Sequence, residues 1–272
     1  MINITPEIKK AIQQGAAIAL SVSGGKDGQA MTKVVMDYVR QENLSNYVFL
    51  IHADLGSVEW PQSMEMCKRL SAEFNIPLEI VSYPGGLMER WRNRMEKLKG
   101  TGKPFWSSSA SRYCTSDTKR APIDKALRRH KLVISCEGIR AAESSARAKK
   151  PISELRKAIC TNERKAYNWR PILNYTDEQV WQTYGHTTDE LWLRQANYKK
   201  GKTELALRNW KFHPAYVFGN KRVSCMMCVL AQKSDLENGA KHNPKLLAEM
   251  IDMERQGKAT FKKGFSLTEL LK

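Results

Sequence analysis

The chain has 272 residues, of which 42% are hydrophobic, and it carries a formal net charge of +17. This length suits one large domain with a small appendage, and no apolar run approaches the roughly 18 residues that cross a membrane. No signal-peptide core follows Met1, and six cysteines with one Cys-x-x-Cys pair are typical of thiols or metal ligands rather than a secreted disulfide framework. We therefore expect a cytoplasmic protein.

The first predicted elements surround a glycine-rich loop. A helix should begin after Thr5, a buried strand should cover residues 16–22, and helical spacing of apolar residues predicts a helix over residues 31–39. The intervening loop reads Ser23-Gly24-Gly25-Lys26-Asp27-Gly28. A strand, a glycine turn and a helix start expose unpaired amides beside the Lys26 charge, which predicts a phosphate-binding site. The spacing matches neither the Walker loop nor the dinucleotide fingerprint, and an ordinary glycine turn is the alternative.

A second buried strand is predicted over residues 47–51, followed by Asp54 and by a helix after Pro61. A third strand should cover residues 78–81. Ligands of an open parallel sheet bind at the carboxyl ends of its strands, so Asp54 should lie near the glycine-rich loop. There it either orients a ribose or holds a magnesium ion, and a helix-capping or turn role is the alternative.

Residues 90–131 are strongly basic, with thirteen Lys or Arg against three acidic residues. This excess favours a polyanionic ligand such as nucleic acid. The alternatives are a solvated helix face and a surface that serves nucleotide phosphates alone.

A strand over residues 131–136 leads into a second candidate binding motif. Gly138 lets the backbone approach a nucleotide, Arg140 and Arg147 can fork onto phosphate or sulfate, and Glu143 can hold one arginine in place. The alternative is a salt-bridged helix start. Further along, residues 169–173 are expected to form a strand before a helix capped by Thr176.

These motifs resemble the PP-loop enzymes, and within them the phosphoadenosine phosphosulfate (PAPS) reductase-like family. The family signature Ser-Gly-Gly-Lys-Asp-Ser is matched except that Gly28 replaces the last serine, whose hydroxyl contacts phosphate. Asp54-Leu55-Gly56, the Cys114-Thr115 element with its Lys119-x-x-Pro122 tail, and the Gly138 motif also match. The resemblance spans roughly residues 21–230.

The expected fold is α/β: a doubly wound, Rossmann-like parallel sheet of PP-loop type. It should form a nucleotide-binding domain over residues 1–175. Residues 176–272 should form a helical, basic C-terminal region that packs on this domain and brings its Cys-x-x-Cys pair back toward the sheet.

Three cysteines are candidate metal ligands. Cys225 and Cys228 can converge on one metal, and Cys114 is the obvious third ligand. Family members use such cysteines for iron-sulfur clusters, so the resemblance implies a cluster. Zinc with His213 as the fourth ligand is the rival, followed by a redox dithiol and by plain buried cysteines.

The resemblance implies an enzyme that binds ATP, or PAPS, with Mg²⁺. The preferred hypothesis is cleavage of ATP between its α and β phosphates, which adenylates an acceptor for sulfur transfer, as in nucleic-acid thiolation. Lys26 would stabilise pyrophosphate, Asp54 would place nucleotide or metal, and Arg140 with Arg147 would hold phosphate charge. A sulfur-donor protein is a possible partner.

Two alternatives remain open. Family reductases use a C-terminal Glu-Cys-Gly-Leu-His tail, and no cysteine follows Cys228 here. PAPS reduction would therefore need an external thiol. A non-catalytic nucleic-acid-binding iron-sulfur protein is the other alternative.

Overall fold

The computed structural model describes residues 2–271, which form one six-stranded sheet with helices on both faces. The strands are β1 (Ala17–Val22), β2 (Val48–Asp54), β3 (Leu78–Ser82), β4 (Leu132–Glu137), β5 (Ser153–Leu155) and β6 (Lys165–Trp169). The helices are α1 (Pro6–Gln13), α2 (Lys26–Gln41), α3 (Pro61–Phe74), α4 (Gly86–Lys97), α5 (Tyr113–Thr115), α6 (Ala121–Leu127), α7 (Ser145–Ala148), α8 (Asp177–Gln182), α9 (Thr188–Lys199), α10 (Thr203–Leu207), α11 (Pro214–Val217), α12 (Lys233–His242) and α13 (Pro244–Gly257).

The strand order is β3-β2-β1-β4-β6-β5, and β5 is antiparallel to β6 while the other pairs are parallel. The chain moves outward from β1 through β2 to β3 and then crosses to β4 on the other side of β1. The strand order thus reverses between β1 and β4, which opens a crevice at their carboxyl ends. This topology confirms the expected doubly wound α/β fold.

Helices on the two faces of the sheet bury separate cores. One core joins β1 and α2 to aromatic residues of the C-terminal half, including Trp169, Trp181 and Phe212. A smaller core on the opposite face joins Phe49 and Ile51 to α6. The C-terminal half is therefore part of the main packing unit.

A third core fixes the Cys-x-x-Cys segment. Met226 and Met227 are buried among Trp60, Trp91 and residues of α12 and α13. The amide of Met226 also donates to the carbonyl of Val58, at 2.8 Å. The two methionines between the cysteines thus anchor this loop beside the end of β2.

Several boundaries differ from the sequence predictions. The strand predicted over residues 169–173 ends at Trp169, since Pro171 has no N–H for a sheet ladder and residues 171–174 form turns. The predicted Thr176 cap is confirmed, because its hydroxyl accepts from the amide of Gln179 at 3.1 Å.

Among residues 2–271, no helix combines the length and apolar character that a membrane span requires.

Candidate functional site

The glycine-rich loop connects β1 to the first turn of α2. Gly24 has φ +74°, and a Cβ there would lie 2.7 Å from the Cα of Ser63, so only glycine fits. The amides of Asp27 and Gly28 lie in the first turn of α2, where an α-helix supplies no carbonyl partner. This 16-residue helix therefore presents a polar, anion-attracting end to the crevice.

Gly138 brings the end of β4 against that first turn. A Cβ at this position would lie 2.8 Å from the carbonyl carbon and oxygen of Asp27 and from the nitrogen of Gly28. All three atoms belong to the backbone, so a side chain could not be accommodated by a rotamer change. The absence of a Cβ lets the β4 motif and the glycine-rich loop form one surface.

A cavity of about 450 Å³ lies on this surface. Its lining includes these predicted site residues: Ser23, Gly25, Lys26, Asp27, Gly28, Gly138, Arg140, Glu143 and Arg147. Gly24 and Asp54 are absent from the described residues that line it. The structure thus gathers most of the predicted nucleotide site around one opening and leaves Asp54 elsewhere.

Two cations and two carboxylates form a compact group in the lining of this cavity. The Nζ of buried Lys26 lies 2.9 Å from Asp177 and 3.1 Å from Asp27. Arg140 donates from Nε to Asp27 at 2.5 Å and from Nη2 to Asp177 at 2.8 Å. Burial raises the pKa of Asp177, but Lys26 and Arg140 outweigh this effect and hold the pKa below its usual range.

The contacts of Arg140 differ from those of a phosphate-binding fork. Its Nη1 donates to the carbonyl of Tyr175 at 3.2 Å, so every guanidinium nitrogen has a protein acceptor. Its own amide donates to Glu143 at 3.0 Å. Arg147 is partly exposed, pairs with Glu143 and also lines the cavity. Arg147 is therefore better placed than Arg140 to meet a ligand.

A second cavity of about 530 Å³ adjoins the first and contains the three predicted cysteine ligands, Cys114, Cys225 and Cys228. Residues common to both linings form a shared wall: Ser23, Lys119, Arg147, Lys221, Arg222 and Val223. The predicted nucleotide-site residues and the three predicted cysteine ligands thus lie on either side of this shared wall, which is rich in Lys and Arg.

Lys119, on the shared wall, interacts electrostatically with the cysteines. Burial lowers the pKa of Lys119, but Cys225 and Glu59 outweigh this effect and raise it overall. Burial raises the pKa of the Cys225 thiol well above its usual range, and the Lys119 ammonium offsets only part of that rise. A cation beside the thiols favours their deprotonated form, which is the form that binds metals.

The spacing of the cysteines bears on the kind of metal they suit. In residues 2–271, the group of three or more metal-ligating side chains whose ligand atoms all lie within 4.8 Å is His52, Asp54 and Glu59, not the cysteines. Around a single tetrahedral zinc, sulfur atoms lie roughly 3.8 Å apart, as Zn–S bonds of about 2.3 Å require. At least two of the three cysteine sulfur atoms thus lie farther apart than they would around one zinc ion.

His213, the fourth ligand of the rival zinc site, is occupied elsewhere. It is fully buried, and its Nδ1 accepts from the amide of Ala215 at 3.1 Å. Its Nε2 lies 3.4 Å from the hydroxyl of Ser63. Burial lowers the pKa of His213 to about 3. The described lining of the cysteine cavity does not include it.

Three residues of the site were not assigned there from the sequence. Asp177 directly follows the predicted Thr176 cap, where an acidic residue is ordinary helix-start chemistry and does not indicate a binding role. Glu59 had no distinguishing local pattern. Tyr216 accepts from the amide of Lys26 at 3.0 Å, across 190 residues of sequence. Lys119 differs from these three residues, because it belongs to the Lys-x-x-Pro tail noted in the sequence.

Residues 17–199 match the family model described as the phosphoadenosine phosphosulfate reductase domain. This match covers more than half of the chain, and the chain belongs to that family. The resemblance found in the sequence motifs is thereby confirmed.

Individual relatives share lower similarity. An uncharacterized 37.8 kDa protein of Escherichia phage 186 is 29% identical over 283 residues, covering 91% of this chain and 77% of the relative. A 75-residue segment is 32% identical to the cytoplasmic tRNA 2-thiolation protein 1 of Arabidopsis thaliana, covering 27% of this chain and 21% of that protein. The crystal structure of a PAPS reductase from Candida auris superposes with a TM-score of 0.48 and 14% identity, covering 83% of this chain and 90% of that one.

Proposed function

We propose that this protein cleaves ATP between the α and β phosphates, adenylates an acceptor oxygen and promotes its replacement by sulfur, with nucleic acid as the acceptor class. The observation that carries the proposal is the shared wall between the phosphate-binding crevice and the three-cysteine cavity. A nucleotide in one cavity and a sulfur species in the other would lie on opposite sides of Lys119 and Arg147.

The first step is attack of the acceptor oxygen on the α-phosphorus, with pyrophosphate as the leaving group. Pyrophosphate gains negative charge as the bond breaks, so fixed positive charge at its oxygens lowers the barrier. Lys26 and the amides of Asp27 and Gly28 are the groups placed to provide it. Sulfur then displaces AMP from the acceptor.

Arg140 acts in this proposal as a positioning residue. By holding Asp27 and Asp177, it fixes the carboxylates that hold Lys26. Asp177 lines the cavity and keeps 61% of its side chain exposed, so it is the carboxylate best placed to bind the Mg²⁺ of a bound nucleotide. Arg147 takes the phosphate-binding role.

Cys114, Cys225 and Cys228 are the residues that would hold an iron-sulfur cluster. A cluster with three protein ligands keeps one iron position open, and when bound it supplies a place to hold a sulfur species. The Lys119 ammonium lies close enough to these thiols to interact with their charge.

Nucleic acid as the acceptor is supported by charge and by similarity. Five basic residues line one or both of the cavities: Arg112, Arg120, Arg147, Lys221 and Arg222. One partial relative is named as a tRNA 2-thiolation protein. Phosphate neutralisation by such residues makes affinity fall steeply with salt, with a slope near −0.9 per contact on duplex DNA.

The test is pyrophosphate release from ATP by anaerobically prepared protein, with RNA or DNA as acceptor. Lys26→Ala should abolish release, whereas Lys33→Ala, which removes a half-buried lysine of the same helix paired with Asp37, should retain it. Sulfite from PAPS and an external thiol, without pyrophosphate from ATP, would replace the proposal with the reductase alternative. Nucleic-acid binding without turnover of either nucleotide would indicate the non-catalytic alternative.

A further inference from the structure

A second group of metal-binding side chains lies at the carboxyl end of β2. The ligand atoms of His52, Asp54 and Glu59 all lie within 4.8 Å of one another. His52 is fully buried, while the two carboxylates are half-buried. Together they offer one imidazole nitrogen and two carboxylate oxygens on one side of the strand end.

Local backbone geometry brings these residues together. His52 and Asp54 are two positions apart in β2, so their side chains project from the same face of the sheet. The 3₁₀ turn Gly56–Val58 reverses the chain and returns Glu59 over that face. The Nε2 of His52 then lies 3.1 Å from Oε2 of Glu59.

Neighbouring backbone groups fix both side chains from β2. The Nδ1 of His52 donates to the carbonyl of Val22 on β1, at 3.0 Å, since a carbonyl can only accept. Asp54 Oδ1 accepts from the amide of Gly56 at 2.8 Å. Metal-binding histidines characteristically donate their second ring N–H to a carbonyl or carboxylate, which fixes the tautomer and aims the other nitrogen at the metal. His52 has this arrangement.

We propose that His52, Asp54 and Glu59 bind a divalent first-row transition-metal ion, independently of the nucleotide and of the cysteines. The described lining of the nucleotide cavity contains none of the three, so this site differs from that of nucleotide-bound Mg²⁺. Glu59 lines the cysteine cavity, which places the ion on its wall. This inference goes beyond the proposed function and does not depend on it.

The ligand set indicates which ions fit. Imidazole suits zinc, iron and copper, and carboxylates suit manganese and magnesium, so a mixed set favours Mn²⁺, Fe²⁺ or Zn²⁺ over Mg²⁺. Binding releases the Nε2 proton of His52 to solvent and replaces the hydrogen bond between Nε2 and Glu59 with two bonds to the ion. Three protein ligands leave coordination positions for water or for a substrate oxygen.

Mn²⁺ is the suitable probe, because it prefers oxygen and nitrogen ligands and competes poorly for thiolates. The nucleotide-free protein is titrated with Mn²⁺, and the free ion is followed by electron paramagnetic resonance. One site per chain is expected. Asp54→Asn and Glu59→Gln should each weaken binding at least tenfold, since each removes a charged ligand.

Matched controls separate this site from the others. Glu65→Gln changes an exposed acid on the neighbouring helix α3 and should leave Mn²⁺ affinity unchanged, as should Cys225→Ser. Asn at position 54 can still accept from Gly56, so this variant should fold, and circular dichroism checks that it does. Absence of Mn²⁺ binding by the wild-type chain, or binding that survives both Asp54→Asn and Glu59→Gln, overturns the proposal. Lys26→Ala should retain Mn²⁺ binding, so loss of pyrophosphate release in that variant tests the proposed function separately.

Discussion

Replacing Gly138 with alanine should damage the nucleotide site through the backbone alone. The new Cβ would lie 2.8 Å from three backbone atoms of Asp27 and Gly28, whereas ordinary contact begins at 3.4 Å. The end of β4 and the first turn of α2 must therefore separate by about 0.6 Å. Overpacking of this kind costs about 1–3 kcal/mol of folding free energy. Because the strain falls on the phosphate-binding turn, ATP affinity should also fall by about tenfold, or about 1.4 kcal/mol.

Gly28→Ala is the matched control for stability. Its Cβ would have its nearest neighbours at 3.6 Å, and alanine within a helix is favoured over glycine by about 0.5–1 kcal/mol. Urea unfolding should therefore place the two variants on opposite sides of the wild-type midpoint, and calorimetry should give their ATP affinities. If Gly138→Ala unfolds at the wild-type midpoint and binds ATP normally, the close approach of β4 to the loop does not shape the site.

Three further predictions follow from individual contacts. Gly28→Ser restores the family hydroxyl where a Cβ fits, and it should tighten ATP binding by about 0.5–1.5 kcal/mol by calorimetry, whereas Gly28→Ala should not. Cys225→Ser should lose iron and visible absorbance after anaerobic purification, whereas Cys160→Ser, outside the described lining of the cysteine cavity, should retain both. Burial lowers the pKa of His213 to about 3, so the unfolded chain binds the extra proton below about pH 6.5 and stability should fall by up to about 1.4 kcal/mol per pH unit down to about pH 3. Urea midpoints at pH 7 and pH 5 measure this loss, and His213→Gln should reduce it.

Local patterns in the sequence were sufficient to predict the parts of the fold that depend on neighbouring residues. About twenty residues are enough to specify that a strand, the turn Gly24-Gly25 and a helix follow one another. A similarly short segment specifies that Gly138 directly follows β4. Because β1 and β4 are parallel, their carboxyl ends lie at the same edge of the sheet. The three-residue β5 was missed, since three residues carry too little periodicity to detect.

Contacts that depend on tertiary packing or on the path of a turn could not be predicted in the same way. Asp177 reaches Lys26 only because α8 packs on α2, and Glu59 reaches His52 only because a 3₁₀ turn reverses the chain. The assignment of Asp54 to the nucleotide site followed from its strand end, which is at the expected edge of the sheet. The side chain nevertheless lies with Glu59, because its carboxylate accepts from Gly56 within its own turn.

Some cations that line the nucleotide cavity are already paired with carboxylates and others are not. This difference bears on how a nucleotide would bind. Lys26 and Arg140 are already balanced by Asp27 and Asp177, so a triphosphate must compete with two carboxylates for them. Within residues 2–271, Lys221 and Arg222 form no ion pair with an acidic side chain. Both residues belong to the shared wall of the two cavities. Long-range attraction of a polyanion should therefore come from this wall. Release of Lys26 leaves Asp177 paired with Arg140 alone, and the Mg²⁺ carried by ATP can replace the positive charge that Asp177 loses. We therefore expect ATP affinity to depend on Mg²⁺ more strongly than nucleic-acid affinity does, because only the nucleotide must break the pair between Lys26 and Asp177.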